Sequence, residues 1–144
     1  MVSSLKYPRS RVPVDAPPDL SSRSERERLS GPALQAFFNL TAKWKVRDED
    51  ARALLGGVTN GPFYEMKRDP GRTLDVDRLT RISYLIGIFK ALRILHSDKL
   101  ADEWVRLPNT HPIFAGQTPL AYMIRGGLPA MQMVRRLLDA RRAG

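Results

Sequence analysis

Apolar residues recur every three to four positions from Ser30 to the end of the chain, and no stretch alternates with the period of two that is typical of a strand. Serine, threonine, aspartate and proline precede most of these segments, and glycine follows several, as at helix starts and ends. We therefore predict an all-α fold. The predicted helices cover about residues 30–44, 48–56, 60–69, 75–95, 97–106, 118–125 and 128–142.

Two short predicted helices flank a turn that contains adjacent glycines. Asp48 is a candidate cap for the first helix, which ends at Gly56 and Gly57, because glycine can take the left-handed conformation that closes a helix. Thr59 or Asn60 can cap the second. Two short helices joined in this way form a helix-turn-helix unit, whose second helix enters the major groove of DNA.

The long predicted helix over residues 75–95 is apolar on two faces, whereas an ordinary surface helix buries one. Such a helix lies in the centre of a domain or is shared with a second subunit, and we expect both. A homodimer would form through Tyr84, Ile88 and Leu95. The first stripe is Leu79, Ile82, Ile86 and Phe89; the second is Tyr84, Ile88, Ala91 and Leu95.

Residues 1–29 contain four prolines, many serines and charges, and no apolar periodicity. This composition predicts a flexible N-terminal arm with too little apolar surface to fold by itself. We expect a DNA-binding and dimerisation domain over residues 30–95, and a second small helical domain over residues 96–144.

The net charge is +9, from 24 Lys and Arg against 15 Asp and Glu, and it is spread along the chain. This surplus favours a polyanionic partner such as DNA, although an arginine-rich surface alone would also produce it. The candidate DNA contacts are Asn60, Tyr64, Lys67 and Arg68 on the second short helix and Arg47 before the first, with Lys43 and Arg52 as further phosphate clamps. Phe63 is expected to be a core residue.

Several function classes lack support in the sequence. The 144 residues contain no cysteine and no apolar run long enough to span a membrane, and the N-terminus does not resemble a secretory signal, so we expect a cytoplasmic protein. His96 and His111 have no carboxylate or metal-ligand companions at useful spacing. We expect no enzyme activity, no cofactor and no metal.

The segment 104–127, "WVRLPNTHPIFAGQTPLAYMIRGG", carries the most specific pattern. From local chemistry, Pro108 ends a helix, Asn109 bonds its own backbone, Gly116 permits a turn, and Thr118 caps the next helix. Ile113 and Phe114 are expected in the core. The pattern resembles the C-terminal domain of the Xre/MbcA/ParS antitoxin family in these elements: Trp104, Pro108-Asn109, Phe114, Gly116, Pro119-Leu120, Gly126-Gly127, Val134, Leu137 and Leu138.

The resemblance is specific over about residues 98–142, and the preceding segment from residue 30 fits the family's Xre-like half. It implies a type II antitoxin whose usual partner is a RES-domain toxin that acts on NAD. In such a pair the C-terminal domain covers the toxin's active site, and the N-terminal domain binds operator DNA.

From the basic last helix we expect the toxin contacts at Arg135, Arg141, Arg142 and Gly144, where the carboxylate after Gly144 could imitate a phosphate. These arginines could instead form only a solvated face. A stand-alone transcription regulator, with a C-terminal oligomerisation or protein-interaction domain, is the alternative function.

Overall fold

The computed structural model describes residues 18–144, and within that range every regular element is helical, which confirms the predicted all-α fold. No helix among these residues is long and apolar enough to cross a membrane. The α-helices are α1 Arg23–Lys43, α2 Asp48–Leu54, α3 Asn60–Arg68, α4 Val76–Leu95, α5 Asp98–Glu103 and α6 Pro119–Ala143, and short 3₁₀ turns lie at Trp104–Arg106 and Pro112–Phe114.

Helix α1 begins at Arg23, not at Ser30 as the sequence pattern predicted. Ser22 caps the helix, because its hydroxyl accepts a hydrogen bond from the backbone N of Glu25 at 3.4 Å. Just before the cap, hydrogen bonds from the hydroxyl and the backbone amide of Ser21 lower the pKa of Asp19. The predicted arm over residues 1–29 is thus wrong for residues 23–29, and residues 1–17 lie outside the described range.

Ser30, the first residue of the predicted first helix, lies inside α1 and is 1% exposed. Its hydroxyl donates to the carbonyl oxygen of Arg26 at 2.6 Å and accepts from the backbone N of Leu74 at 2.8 Å. A buried hydroxyl with both a donor and an acceptor partner leaves no polar group unsatisfied. Ser30 therefore joins α1 to the segment that leads into α4.

Helix α4 is the central element and packs against α1, α5 and α6. Its buried side chains belong to the same core as those of both neighbouring halves of the chain, for example Phe37 in α1 and Val134 in α6. Because residues from before and after position 95 share one core, α4 occupies the central position that its two apolar stripes predicted.

The predicted dimer contact at Ile88 is wrong, because this side chain is fully buried within the protomer. Tyr84 and Leu95 are only partly buried against the core. Near the end of α4, Ile94 is 63% exposed. Packing within the chain therefore accounts for most of the second apolar stripe.

Gly87 allows α6 to approach α4 closely. A Cβ at this position would lie 1.3 Å from Nη1 of Arg135, so the guanidinium fills the space that another residue's side chain would need. Nε of Arg135 also donates to both carboxylate oxygens of Asp139, at 3.1 and 3.0 Å. The packing of α6 on α4 therefore depends on the absence of a side chain at position 87.

The connector between α5 and α6 is ordered by local hydrogen bonds. Oδ1 of Asn109 accepts from the backbone N of His111 at 2.9 Å, which confirms the predicted turn. Thr118 caps α6 by accepting from the backbone N of Ala121 at 3.1 Å, again as predicted. His111 was assigned no role, but its Nδ1 accepts from the backbone N of Ile113 at 3.3 Å and caps the 3₁₀ turn.

Phe114 anchors the connector in the core. It is 1% exposed, and its ring lies 6.0 Å from that of Trp104 and 5.3 Å from that of Tyr122, centroid to centroid, in edge-to-face contacts. Edge-to-face aromatic pairs add about 0.5–1.5 kcal/mol beyond the burial of their area. The prediction that Phe114 is a core residue is confirmed, and Ile113 is partly buried beside it.

Candidate functional site

Helices α2 and α3 are two short helices joined by a tight turn. The turn between them contains Gly56 and Gly57 with φ of 92° and 89°, values that residues with a side chain rarely adopt. Thr59 precedes α3 as predicted, but its side chain makes no capping hydrogen bond. Asp48 is the first helical residue of α2, not its cap, and Arg47 holds the cap position.

Helix α3 has one face in the core and one in solvent. Phe63 is fully buried and Met66 is 6% exposed, while Tyr64 on the opposite face is 51% exposed. The ring of Phe63 lies 5.6 Å from that of Phe38 in α1, in an edge-to-face contact that holds α3 on the core. Phe63 is thus a core residue, as expected. The predicted DNA contacts Asn60, Tyr64, Lys67 and Arg68 all lie in exposed positions.

The cations on this face are held by neighbouring carboxylates. Nζ of Lys67 lies 2.9 Å from Oδ1 of Asp48, an ion pair that links α3 to the first turn of α2. Arg68 pairs with Glu65 at 2.7 Å within α3. Exposed ion pairs contribute only about 0–1 kcal/mol, so a stronger anion such as phosphate can replace the carboxylate at small cost.

The other predicted phosphate contacts, Arg47, Lys43 and Arg52, differ in how accessible they are to a ligand. Arg47 pairs with Asp50 at 3.4 Å and keeps 76% of its side chain exposed. Lys43 is exposed at the end of α1. Arg52 is partly buried, and its Nε has no hydrogen-bond partner among residues 18–144. Of these three residues, Arg47 and Lys43 are accessible to a ligand.

A group of cations that the sequence analysis did not identify lies beyond the C-terminal end of α3. Arg23, Arg72 and Arg78 line one surface pocket together with Met66 and Asp75. These arginines belong to the start of α1, the loop after α3 and the first turn of α4. Their separation in sequence hides the cluster, since only the fold brings residue 23 beside residues 72 and 78.

The second candidate surface is the last part of α6. Arg141 and Gly144 are exposed, and Arg142 lies 3.8 Å from a carboxylate oxygen of Asp139. Arg135 differs, because its guanidinium packs over Gly87 and pairs with Asp139. The structure therefore brings Arg135 and Arg142 to the same aspartate and gives Arg135 a role in helix packing.

Arg81 has a side chain that is 17% exposed, and its Nε lies 2.9 Å from Asp77. A Cβ on Gly56 would lie 3.2 Å from Nε of Arg81, and a Cβ on Gly127 would lie 3.8 Å from its Nη1. Gly127 is the point at which α6 kinks, with φ 64° and ψ −145°. Arg81 thus packs between the turn that joins α2 to α3 and the kink of α6.

No group of three or more potential metal ligands occurs within residues 18–144. His111 serves as a cap. Exposed cations and amides on rigid helices can bind anions or protein partners.

Comparison with known proteins identifies the C-terminal part of the chain. Residues 90–144 match the family described as "Antitoxin Xre/MbcA/ParS C-terminal toxin-binding domain". The match begins in the last turns of α4 and includes α5, the connector and α6. The class defined by this region is therefore an antitoxin-type, toxin-binding domain, and the resemblance seen in the sequence is confirmed for it.

The chain is also similar to a bacterial protein over most of its length. It is 38% identical over 112 residues to "Uncharacterized protein y4oB" of Sinorhizobium fredii (strain NBRC 101917 / NGR234), an alignment that covers 77% of this chain and 84% of that protein. The chain belongs to the same family as this protein and carries the antitoxin-type domain at its C-terminal end. No solved structure was found to match it.

Proposed function

We propose that this protein is the antitoxin of a type II toxin–antitoxin pair that neutralises a RES-domain, NAD-degrading toxin. The C-terminal region covers the toxin's active site, and the helix–turn–helix arrangement binds operator DNA. The observation that carries the proposal is the antitoxin-type domain over residues 90–144. A toxin partner follows from the kind of domain, whereas the RES class follows from the family's usual pairing.

The accessible cations of α6 support the toxin-binding part of the proposal. A pocket that cleaves NAD must accommodate a pyrophosphate, so it needs cations and hydrogen-bond donors; in this proposal Arg141 and Arg142 pair with acidic side chains of the toxin beside that pocket. Arg141 is exposed in the last turn of α6, and Arg142 is held only at 3.8 Å by Asp139. Guanidinium groups bind carboxylates in a bidentate geometry, which suits contacts of this kind.

The outer face of α3 supports the DNA-binding part. Asn60 and Tyr64 lie near the N-terminal end of the helix, where recognition helices contact base edges, and Lys67 and Arg68 follow on its last turn. Asparagine pairs with adenine through two hydrogen bonds, and the cations suit phosphates. The even spread of positive charge adds long-range attraction to DNA.

A homodimer completes the DNA-binding proposal, because helix–turn–helix proteins bind paired half-sites about 34 Å apart. Ile94 is 63% exposed beside the partly buried Leu95, so the end of α4 offers an apolar contact for a second copy. Tyr84 lies on the same helix and is also partly accessible. Light scattering on the purified protein should give twice the monomer mass.

The test is to express the protein together with the open reading frame beside its gene. We expect the toxin expressed alone to deplete cellular NAD and stop growth, and co-expression of this protein to restore both. The pair should co-purify through a tag on either partner. A neighbour that neither binds nor harms cells would contradict the antitoxin proposal and favour a stand-alone regulator. NAD incubated with this protein alone should remain intact, which separates binding from catalysis.

A further inference from the structure

The pocket lined by Arg23, Arg72 and Arg78 lies directly after the candidate recognition helix. It is an open surface cavity of about 450 Å³, large enough for a phosphate group and its water. Met66 forms its wall on the side of α3, and Asp75, which caps α4, forms part of another wall. The cavity therefore lies beyond the C-terminal end of α3, between the core-facing side of that helix and the loop that follows it.

The charge of the lining favours an anion. Three guanidinium groups face a single lining carboxylate, that of Asp75. Arg78 pairs with Asp75 at 2.6 Å, and Arg23 pairs with Glu27 at 2.9 Å, in exposed contacts that cost little to exchange. Arg72 forms no ion pair with any residue in the range 18–144. The pocket thus keeps a positive surplus after its internal pairs are counted.

The residues that line the pocket also include hydrogen-bond donors that could bind a ligand. Nε of Arg78 is buried and has no partner among the described residues. Thr73 adds a hydroxyl to the lining, next to the start of α4, where the partial positive charge of a helix N-terminus also favours an anion. Guanidinium groups hold phosphate oxygens through paired N–H donors.

The dimensions place this pocket over the DNA backbone. Helix α3 has nine residues and is therefore about 13 Å long at about 1.5 Å per residue. The major groove is about 12 Å wide. When Asn60 at one end of α3 reaches base edges, the loop that begins at Asp69 lies at the rim of the groove, where the phosphates are.

We propose that Arg23, Arg72 and Arg78 form a binding site for one phosphodiester group of the DNA backbone, which fixes the orientation of α3 in the groove. This proposal rests on the DNA-binding part of the proposed function. It assigns these three arginines to positioning on the duplex, whereas Asn60 and Tyr64 contact the bases.

The test compares the wild-type protein with the double variant Arg23→Ala/Arg72→Ala. Arg78 is kept, because its guanidinium pairs with the Asp75 carboxylate that caps the start of α4. A matched control, Lys99→Ala/Arg106→Ala, removes two exposed cations on α5 and the following 3₁₀ turn. Fluorescence anisotropy with a labelled duplex from upstream of the gene, at several salt concentrations, gives the affinity and its salt dependence.

We expect the Arg23→Ala/Arg72→Ala variant to bind about tenfold more weakly, and the slope of log affinity against log salt to fall by about 0.9, the value for one lost phosphate contact. An unrelated duplex should show the same loss, since phosphates carry no sequence information. The control should retain both the affinity and the slope. Thermal melting of each variant verifies that it is folded.

Three results would overturn the proposal, and each has a different meaning. If the wild-type protein binds DNA but the variant matches it in affinity and slope, the pocket contacts no phosphate and the DNA-binding proposal stands. If the wild-type protein binds no duplex even at low salt, the DNA-binding proposal and the phosphate site both fail. A loss seen only with the upstream duplex would mean that the arginines contact bases.

Discussion

The cations of α3 and those of α6 are held in different ways. On α3, Lys67 and Arg68 form exposed pairs with Asp48 and Glu65, so each cation keeps a defined position near solvent. On α6, Arg135 packs against Gly87 in the interior of the helix pair, whereas the proposed contacts Arg141 and Arg142 are exposed in the last turn. The proposed DNA-binding surface thus extends along the exposed face of α3, whereas the proposed toxin-binding surface is limited to the last turn of α6.

Because of this difference, DNA binding by α3 and toxin binding by the end of α6 should depend on different side chains. An exposed pair can exchange its carboxylate for a phosphate at a cost of about 1 kcal/mol or less. A cation inserted between helices cannot leave without disturbing their packing. Changes at the end of α6 should therefore affect one partner only, and so should changes on the outer face of α3.

The largest expected effect is on toxin binding. Deleting residues 141–144 removes two exposed cations, Arg141 and Arg142, and leaves Arg136 in place. This deletion should weaken toxin binding by roughly 100-fold, as expected for hot-spot contacts. Growth rescue in the presence of the toxin should be lost, while the dissociation constant for DNA stays within about twofold of wild type. Full neutralisation by the truncated protein would show that the contacts lie elsewhere on the domain.

The next largest effect is on DNA binding. The double change Lys67→Ala/Arg68→Ala removes two cations from α3 and should abolish operator binding at physiological salt, since each lost contact costs about 1–3 kcal/mol. Toxin binding, measured by co-purification, should be unchanged. Simultaneous loss of both activities would mean that these residues support the fold, and a melting curve would reveal that.

A smaller effect concerns Gly87 and Arg135, which we expect to be coupled in stability. Alanine at position 87 raises helix propensity by about 1 kcal/mol but displaces the guanidinium of Arg135. Gly87→Ala should therefore be stabilising in the Arg135→Ala background and neutral or destabilising in the wild type. Urea unfolding of all four proteins gives a coupling energy of about 1–2 kcal/mol. Additive effects would show that the guanidinium does not depend on the glycine.

The smallest effect is expected from Asp48→Asn, which releases Lys67 from its carboxylate partner. Loss of the competing anion should tighten DNA binding by a few fold at low salt, with a smaller gain at high salt. The matched change Asp98→Asn, on α5 and away from α3, removes the same charge and should alter DNA binding less. Equal gains from both changes would indicate a general charge effect.

Most of the fold could be predicted from the sequence, because local signals coincide with the observed elements. Asp75, Ser97 and Thr118 each cap a helix with a side-chain hydrogen bond, and the glycines after α2 have positive φ. The sequence pattern misplaces the start of α1, because Ser30 with Pro32 two residues later resembles the start of a helix. The earlier signal, Ser22 with Glu25 three residues later, is the spacing of a capping box, but little apolar periodicity follows it.

The surfaces were less predictable than the helices. Periodicity correctly separates the buried Phe63 from the exposed Tyr64 on α3. It cannot show that Ile88 packs within the protomer, or that Arg135 fills the space above Gly87, since both depend on how distant helices meet. The arginine pocket depends on the fold in the same way.

The shared core around α4 has a consequence for how the molecule unfolds. Since buried residues of α1, α4 and α6 belong to one cluster, neither half can lose its packing while the other keeps its own. We expect a single cooperative thermal transition, with equal enthalpies from calorimetry and from the van't Hoff analysis. Loss of DNA binding and loss of toxin binding should then occur at the same temperature, so that damage to the core inactivates the whole protein at once.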